Sequence, residues 1–231
     1  MRTIGLIGGM SWESTAIYYR LVNEAVRARL GGLHSARVLL WSFDFDDIAR
    51  MQTAGDWDAA GAALAGAARG LRDGGAEALV LCTNTMHKVA DAIAGAVDLP
   101  FIHLADVTAA AIRRAGCRKP LLLATRYTME DDFYVGRLRD RHGIEAITPD
   151  AEGRALTHSI IYDELCRGIV RDASREALLG VVAAARARGA DGVILGCTEL
   201  GMILDRTCCA EPVFDTTRLH AEAAVDFSLA A

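Results

Sequence analysis

"GAEALVLCTNT" (75–85) and "GADGVILGCTE" (189–199) lie one upon the other without a gap. Each opens on glycine, runs through aliphatic residues and ends in a knot of small polar groups. A short apolar run bounded in this way predicts a buried strand that delivers its last side chains to one edge of a sheet. Gly75 and Gly189 stand 114 residues apart, and the next strands agree to within two residues, "LPFIH" carrying Pro100 where "EPVFD" carries Pro212. The chain therefore reads as two related units. In this register Cys82 falls opposite Gly196, and Thr83 opposite Cys197. Strand side chains alternate between faces, so Cys82 and Thr83 point opposite ways. In parallel α/β sheets the ligand crevice lies at the carboxyl ends of the strands. If Cys197 faces a shared cleft there, its mate is the Thr83 hydroxyl, and the Cys82 thiol points elsewhere. The rival is a bulge at the strand end that lets Cys82 reach the cleft.

The flanking pattern alternates short apolar runs with helical stretches, as an α/β fold with parallel strands requires. Strands are expected at 3–8, 36–45, 78–82 and 99–105, then again at 119–125, 144–149, 192–197 and 211–216. Helices are expected from a Ser11 cap to Arg29, over 55–75, 85–94 and 106–115, and then over 128–143, 153–167, 173–188 and from Thr217. Thr128 with Asp131 three residues on has the spacing of a capping box. The fold expected is two pseudo-twofold-related Rossmann-like domains, each a mainly parallel sheet flanked by helices. Residues 1–106 with 210–231 form one domain, and 107–209 the other.

Hydrophobic residues make up 52% of the 231, which excludes a disordered chain. A net charge of −5 argues against nucleic acid and anionic membrane as partners. No run reaches the ~18 apolar residues of a membrane span, and "MRTIGLIGGM" reads as a first strand, not a signal peptide. The six cysteines (82, 117, 166, 197, 208, 209) follow no disulfide or CxxC spacing, so reduced thiols in the cytoplasm are expected. Cys82, Cys117 and Cys166 read as core thiols, and Cys208-Cys209 as an exposed loop pair without metal-site spacing. "GLIGGMS" has glycines spaced G-x-x-G-G, not G-x-G-x-x-G, so a dinucleotide is not expected.

Two strand ends facing across a cleft suit proton transfer at one carbon, one group removing the α-proton and its partner delivering to the other face. A thiol does this only as thiolate, below the free value of ~8.5. A threonine hydroxyl is a far weaker acid. "LCTNTMH" and "LGCTELG", with "IGLIGGMSWEST" before them and "RYTMEDDFY" between, resemble the aspartate/glutamate racemase family over nearly the whole chain, in the branch that includes broad-specificity amino-acid racemases. The resemblance implies a cofactor-independent isomerase, a homodimer, and two catalytic residues that fall on Thr83 and Cys197. The family's first motif is Cys-Asn-Thr-x-His; here it reads Thr83-Asn84-Thr85-Met86-His87. The missing thiol puts symmetric racemisation in doubt and favours one preferred enantiomer. A single-cysteine decarboxylase or cis–trans isomerase using Cys197 alone, or a degenerate ligand-binding domain, is the alternative.

For substrate binding, the backbone N–H groups of Met10 and Ser11 suit a carboxylate, with plain helix capping by Ser11 as the equal alternative. Asn84, Thr85, Thr125 and Thr198 lie at the same strand ends, with N-capping as the bland reading of Thr85 and Thr198. Glu199 either orients the Cys197 thiol, accepts from the substrate ammonium, or only complements a helix dipole. His87 reads as a supporting residue, and Trp12 as a wall beside the glycine loop. Arg50, Gln52, Arg126 and Arg167 are candidates for side-chain recognition. By the resemblance Gln52 stands in a substrate-contacting loop.

Overall fold

A computed structural model describes residues 1–230. Its contacts divide the chain into two units, Met1–Leu104 with the C-terminal segment from His220, and Ala105–Leu219. The first holds β1 (Ile4–Gly8), α1 (Trp12–Leu30), β2 (Val38–Ser42), α2 (Phe45–Ala54), α3 (Trp57–Asp73), β3 (Ala78–Leu81), α4 (Ala90–Ala94) and β4 (Phe101–Ile102). The chain crosses to the second unit at the start of α5 (Leu104–Arg114). There follow β5 (Leu121–Ala124), α6 (Arg126–Glu130), α7 (Asp132–His142), α8 (Ala151–Ser159), α9 (Asp172–Ala187), β6 (Val193–Gly196) and β7 (Val213–Asp215), and the return lies within α10 (Thr216–Leu229). The sheets run β2-β1-β3-β4 and β5-β6-β7, with every pairing parallel. The expected return at residue 210 falls at His220 instead, because β7 hydrogen-bonds to β6 in the second sheet.

Alternation along the strands builds the cores. In the first unit Ile4, Leu6, Val80 and Cys82 share one cluster with Tyr18, Val22 and Val26 of α1 and with Ala221, Ala224 and Val225 of α10. Ile7, Leu79 and Leu81 face the other way, onto Ile48, Leu64, Leu71 and Ile93 of α2, α3 and α4. In the second unit Leu121, Leu123, Val193 and Leu195 share a cluster with Leu178 and Val182 of α9, and Cys197 packs against it.

Three expectations are corrected. The helix expected over 128–143 is two helices, broken where Asp131 takes an extended backbone and accepts from the Phe133 N–H at 3.3 Å as the cap of α7. Thr128 is no cap; it lies buried inside α6, its hydroxyl 3.4 Å from that of Thr125. The strand expected over 144–149 shrinks to one bridge, Ile147 to Leu121 on the free edge of β5, because Asp150 already caps α8 just beyond it.

A fully buried His220 ties α10 to the first sheet. Its Nε2–H donates to the Ile102 carbonyl at 2.6 Å, which leaves Nδ1 to accept from the Tyr18 hydroxyl at 2.9 Å. Burial pushes its pKa down to about 4, against a smaller opposing pull from the Ile102 carbonyl. The unfolded chain binds this proton more readily, so the stability is whole above pH ~6.5, drains away between ~6.5 and ~4, and levels off below. Urea unfolding is expected to give about 2 kcal/mol less stability at pH 5 than at pH 7 from this residue. His220→Gln should flatten that difference; an unchanged pH slope in the variant refutes the assignment.

Candidate active site

At the carboxyl edge of the first sheet, β3 ends at Leu81 and Cys82 still pairs, its N–H donating to Ile7 O at 2.9 Å. The Cys82 sulfur is fully buried, and burial drives its pKa far up. Thr83, one residue on, is half-buried. The strand therefore does not bulge to bring Cys82 out. The Thr83 carbonyl is held by His87: Nδ1 lies 2.8 Å from Thr83 O, and Nε2 receives the Leu104 N–H at 3.2 Å. A carbonyl only accepts and an amide N–H only donates, so the ring is neutral with its proton on Nδ1. Both ring nitrogens are thus engaged in holding the loop.

The glycine turn after β1 borders the same edge. The Ser14 hydroxyl donates to Cys82 O at 3.3 Å, and Ser11 caps α1 by accepting from the Ser14 N–H at 3.3 Å. Gly9 has φ +85, and a Cβ there would run into the Phe43 backbone. Thr15, which the sequence reading passed over, locks the turn: Oγ1 accepts from Gly9 N–H at 2.8 Å and donates to Ser11 O at 2.9 Å. A threonine seven residues after Gly8 was the available signal. The Met10 side chain belongs to the core, so only its backbone can serve a ligand. Asn84 is buried and Thr85 opens a tight helical turn, Thr85–Val89. Gln52 lies on the last turn of α2, not in a loop, and its amide donates to the Met86 sulfur at 2.9 Å, beside the Thr83–His87 segment. Arg50 is exposed and engaged by Asp46 and Asp47. Trp12 is exposed on the first turn of α1.

At the carboxyl edge of the second sheet, Ala124 pairs with Gly196, and Thr125 and Cys197 are the residues that follow these two strand ends. Gly196 is dictated by space: a Cβ there would sit 2.7 Å from Leu122 Cδ1 and 3.1 Å from Ala124 Cβ. Cys197 is half-buried and starts a tight turn, Thr198–Met202. Its thiol donates to Glu199 Oε2 at 2.9 Å. Burial first, and the Glu199 charge second, hold the thiol well above its ordinary pKa, so Cys197 rests as a thiol. Thr125 is buried and begins α6 without a side-chain cap bond.

Around this pair the second unit gathers groups that the sequence reading did not single out. Tyr162 lies on the π-helical turn Ile160–Glu164 that continues α8, its ring 4.6 Å from that of His158. Burial, together with Tyr127, Cys166, Cys197 and Glu199, pushes the Tyr162 phenol up to about 12, so it stays protonated. The Arg126 N–H donates to His158 Nδ1 at 3.3 Å. A π turn inserts one residue into a helix and re-aims the next side chain, which no periodicity reveals. Arg126 and Arg167 are both exposed, and so is Cys166, contrary to its reading as a core thiol. Cys208 and Cys209 are half-buried and pack against the second-unit core. Among the described residues no group of three or more His, Cys, Asp or Glu side chains can hold a metal ion, and no helix is long and apolar enough to cross a membrane.

The Glu199 influence has a direct consequence. In Glu199→Gln the negative charge is gone, so the Cys197 pKa falls and alkylation of the 189–206 tryptic peptide by iodoacetamide should move to lower pH. An unmoved alkylation profile refutes the contact.

The family model for Asp/Glu/hydantoin racemases matches residues 7–224. The chain is 52% identical to a Yersinia pestis protein described as a candidate Asp/Glu racemase, with a TM-score of 0.95 and all of both chains covered. It is 31% identical to an aspartate racemase homologue from Pyrococcus horikoshii, with a TM-score of 0.89 and 99% of each chain covered. The Picrophilus torridus aspartate racemase shares the fold at 22% identity and a TM-score of 0.78, over 99% of this chain and 94% of that one.

Proposed function

The chain belongs to the Asp/Glu/hydantoin racemase family, and from that premise we propose that it racemises aspartate, glutamate or a related small amino acid without a cofactor. The observation that carries the reading is the half-buried Cys197 thiol at a strand end, hydrogen-bonded to the Glu199 carboxylate. Glu199 accepts the thiol proton as the substrate binds, and the thiolate so formed takes the α-proton. Thr83, or a water on its hydroxyl, delivers a proton to the other face of the carbanion. The N–H groups of Met10 and Ser11 at the start of α1 bind the α-carboxylate. Asn84, Thr85, Thr125 and Thr198 supply hydrogen bonds to carboxylate and ammonium, and Gln52 contacts the side chain. A neutral Gln52, with Arg50 taken up by its own helix, fits a loose side-chain preference. A homodimer rests on the resemblance alone.

The test is incubation in D₂O with L- and D-aspartate, glutamate and a panel of neutral amino acids, following the α-proton by NMR. Exchange with inversion for at least one acid is expected, and Glu199→Gln should slow it about 10²-fold. No exchange with any of them overturns the reading and favours a binding protein.

A further inference from the structure

We propose that Cys166 and Cys197 join in a reversible disulfide when the protein meets a hydroperoxide, and that this bond switches the site off. Cys166 stands in the middle of the tight turn Leu165–Arg167, and Cys197 leads into the turn Thr198–Met202. The two turns pack on one another, and Leu165, Leu200 and Cys197 meet in the same apolar cluster. Cys166 is also among the groups that hold the Cys197 thiol above its ordinary pKa. Cys166 is exposed, as are the residues that follow it through Ala173, so this stretch has little packing to lose in adjusting to disulfide geometry. The other thiols are less well placed. Cys82 and Cys117 are buried, and Cys208 is engaged with the backbone of Asp205.

The chemistry balances with a peroxide as the sole oxidant. The exposed Cys166 sulfur attacks the peroxide, its O–O bond breaks, and a sulfenic acid and one water (or alcohol) result. The Cys197 sulfur then attacks the Cys166 sulfur, giving up its proton to Glu199 at 2.9 Å, and hydroxide leaves to become the second water. Two thiols are oxidised and one peroxide is reduced. The bonded Cys197 can no longer accept a proton from a substrate. That loss of activity rests on the proposed role of Cys197; the bond itself does not.

The test uses the full chain, reduced and then treated with hydrogen peroxide, alkylated and digested with trypsin without reduction. Cleavage separates Cys166 (155–167), Cys197 (189–206) and the Cys208-Cys209 pair (207–218). The expected product is peptide 155–167 linked to 189–206, lighter by two hydrogens than its parts. It should appear in proportion to a complete loss of α-proton exchange, and dithiothreitol should restore both. Cys166→Ser should keep the basal exchange rate but lose it irreversibly under peroxide, as Cys197 passes to sulfinic acid. Cys197 pairing with 207–218, or no linked peptide while activity is lost reversibly, overturns the inference. A linked peptide with exchange intact upholds the bond and removes Cys197 from the reaction.

Discussion

Cys197→Ser is expected to lose α-proton exchange with every amino acid by 10³-fold or more, roughly the upper range for removal of an acid–base group, while unfolding at the same urea concentration as the parent. The replacement keeps shape and the hydrogen bond to Glu199 but raises the acidity barrier that the carboxylate must overcome. Cys197 sits at the end of β6 after Gly196, where Leu122 and Ala124 leave no room for a side chain. The backbone course that presents the sulfur is therefore set by packing and not by the thiol, and the variant should fold. A further outcome separates orientation from chemistry. If Glu199 only orients the thiol, Glu199→Gln retains the turnover, since an amide oxygen accepts the same hydrogen bond. If Glu199 takes the proton, turnover falls while Cys197 alkylation moves to lower pH. Exchange at parental rates in Cys197→Ser removes the residue from the reaction.

The repeat alone puts Cys82 and Thr83 on opposite faces of their strand. The register that set Thr83 against Cys197 needs only that strand residues alternate, and Cys82 in the core among Ile4, Leu6 and Tyr18 satisfies that geometry. What stayed hidden depends on contacts distant in sequence or on departures from periodicity. Asp131 breaks a helix that the pattern carries through, because a local cap competes with propagation. Gln52 looks like a loop residue until Asp44 caps α2 and draws it into the last turn. Tyr162 stands on a π turn, Ile160–Glu164, which leaves no mark in the periodicity of the sequence. The neutral state of His87 follows from two partners, Thr83 O and Leu104 N–H, on opposite sides of its ring. No spacing rule contains that.

Thr83→Ala is expected to cut racemisation by about 10²–10⁴-fold and yet leave exchange of one enantiomer's α-proton running through Cys197. The argument turns on an asymmetry of acids. A thiol with a carboxylate beside it can take a proton and return it; a threonine hydroxyl donates or relays far more readily than it abstracts. That does not make the enzyme one-way. L and D forms have equal free energy in water, so kcat/KM for inversion must be the same in both directions, and the asymmetry must show elsewhere. It shows as washout: the enantiomer whose α-proton meets Cys197 exchanges with retention faster than it inverts, and its mirror image does not. Thr83→Cys should bring the two exchange rates together, because each face then meets a thiol. Cys82→Ala is the matched control. It removes a sulfur from a closed core, costing about 1 kcal/mol of stability, and should leave both exchange and inversion at parental rates. Parental inversion in Thr83→Ala together with its loss in Cys82→Ala would show that the strand end rearranges in solution and that the buried thiol, not the hydroxyl, meets the substrate.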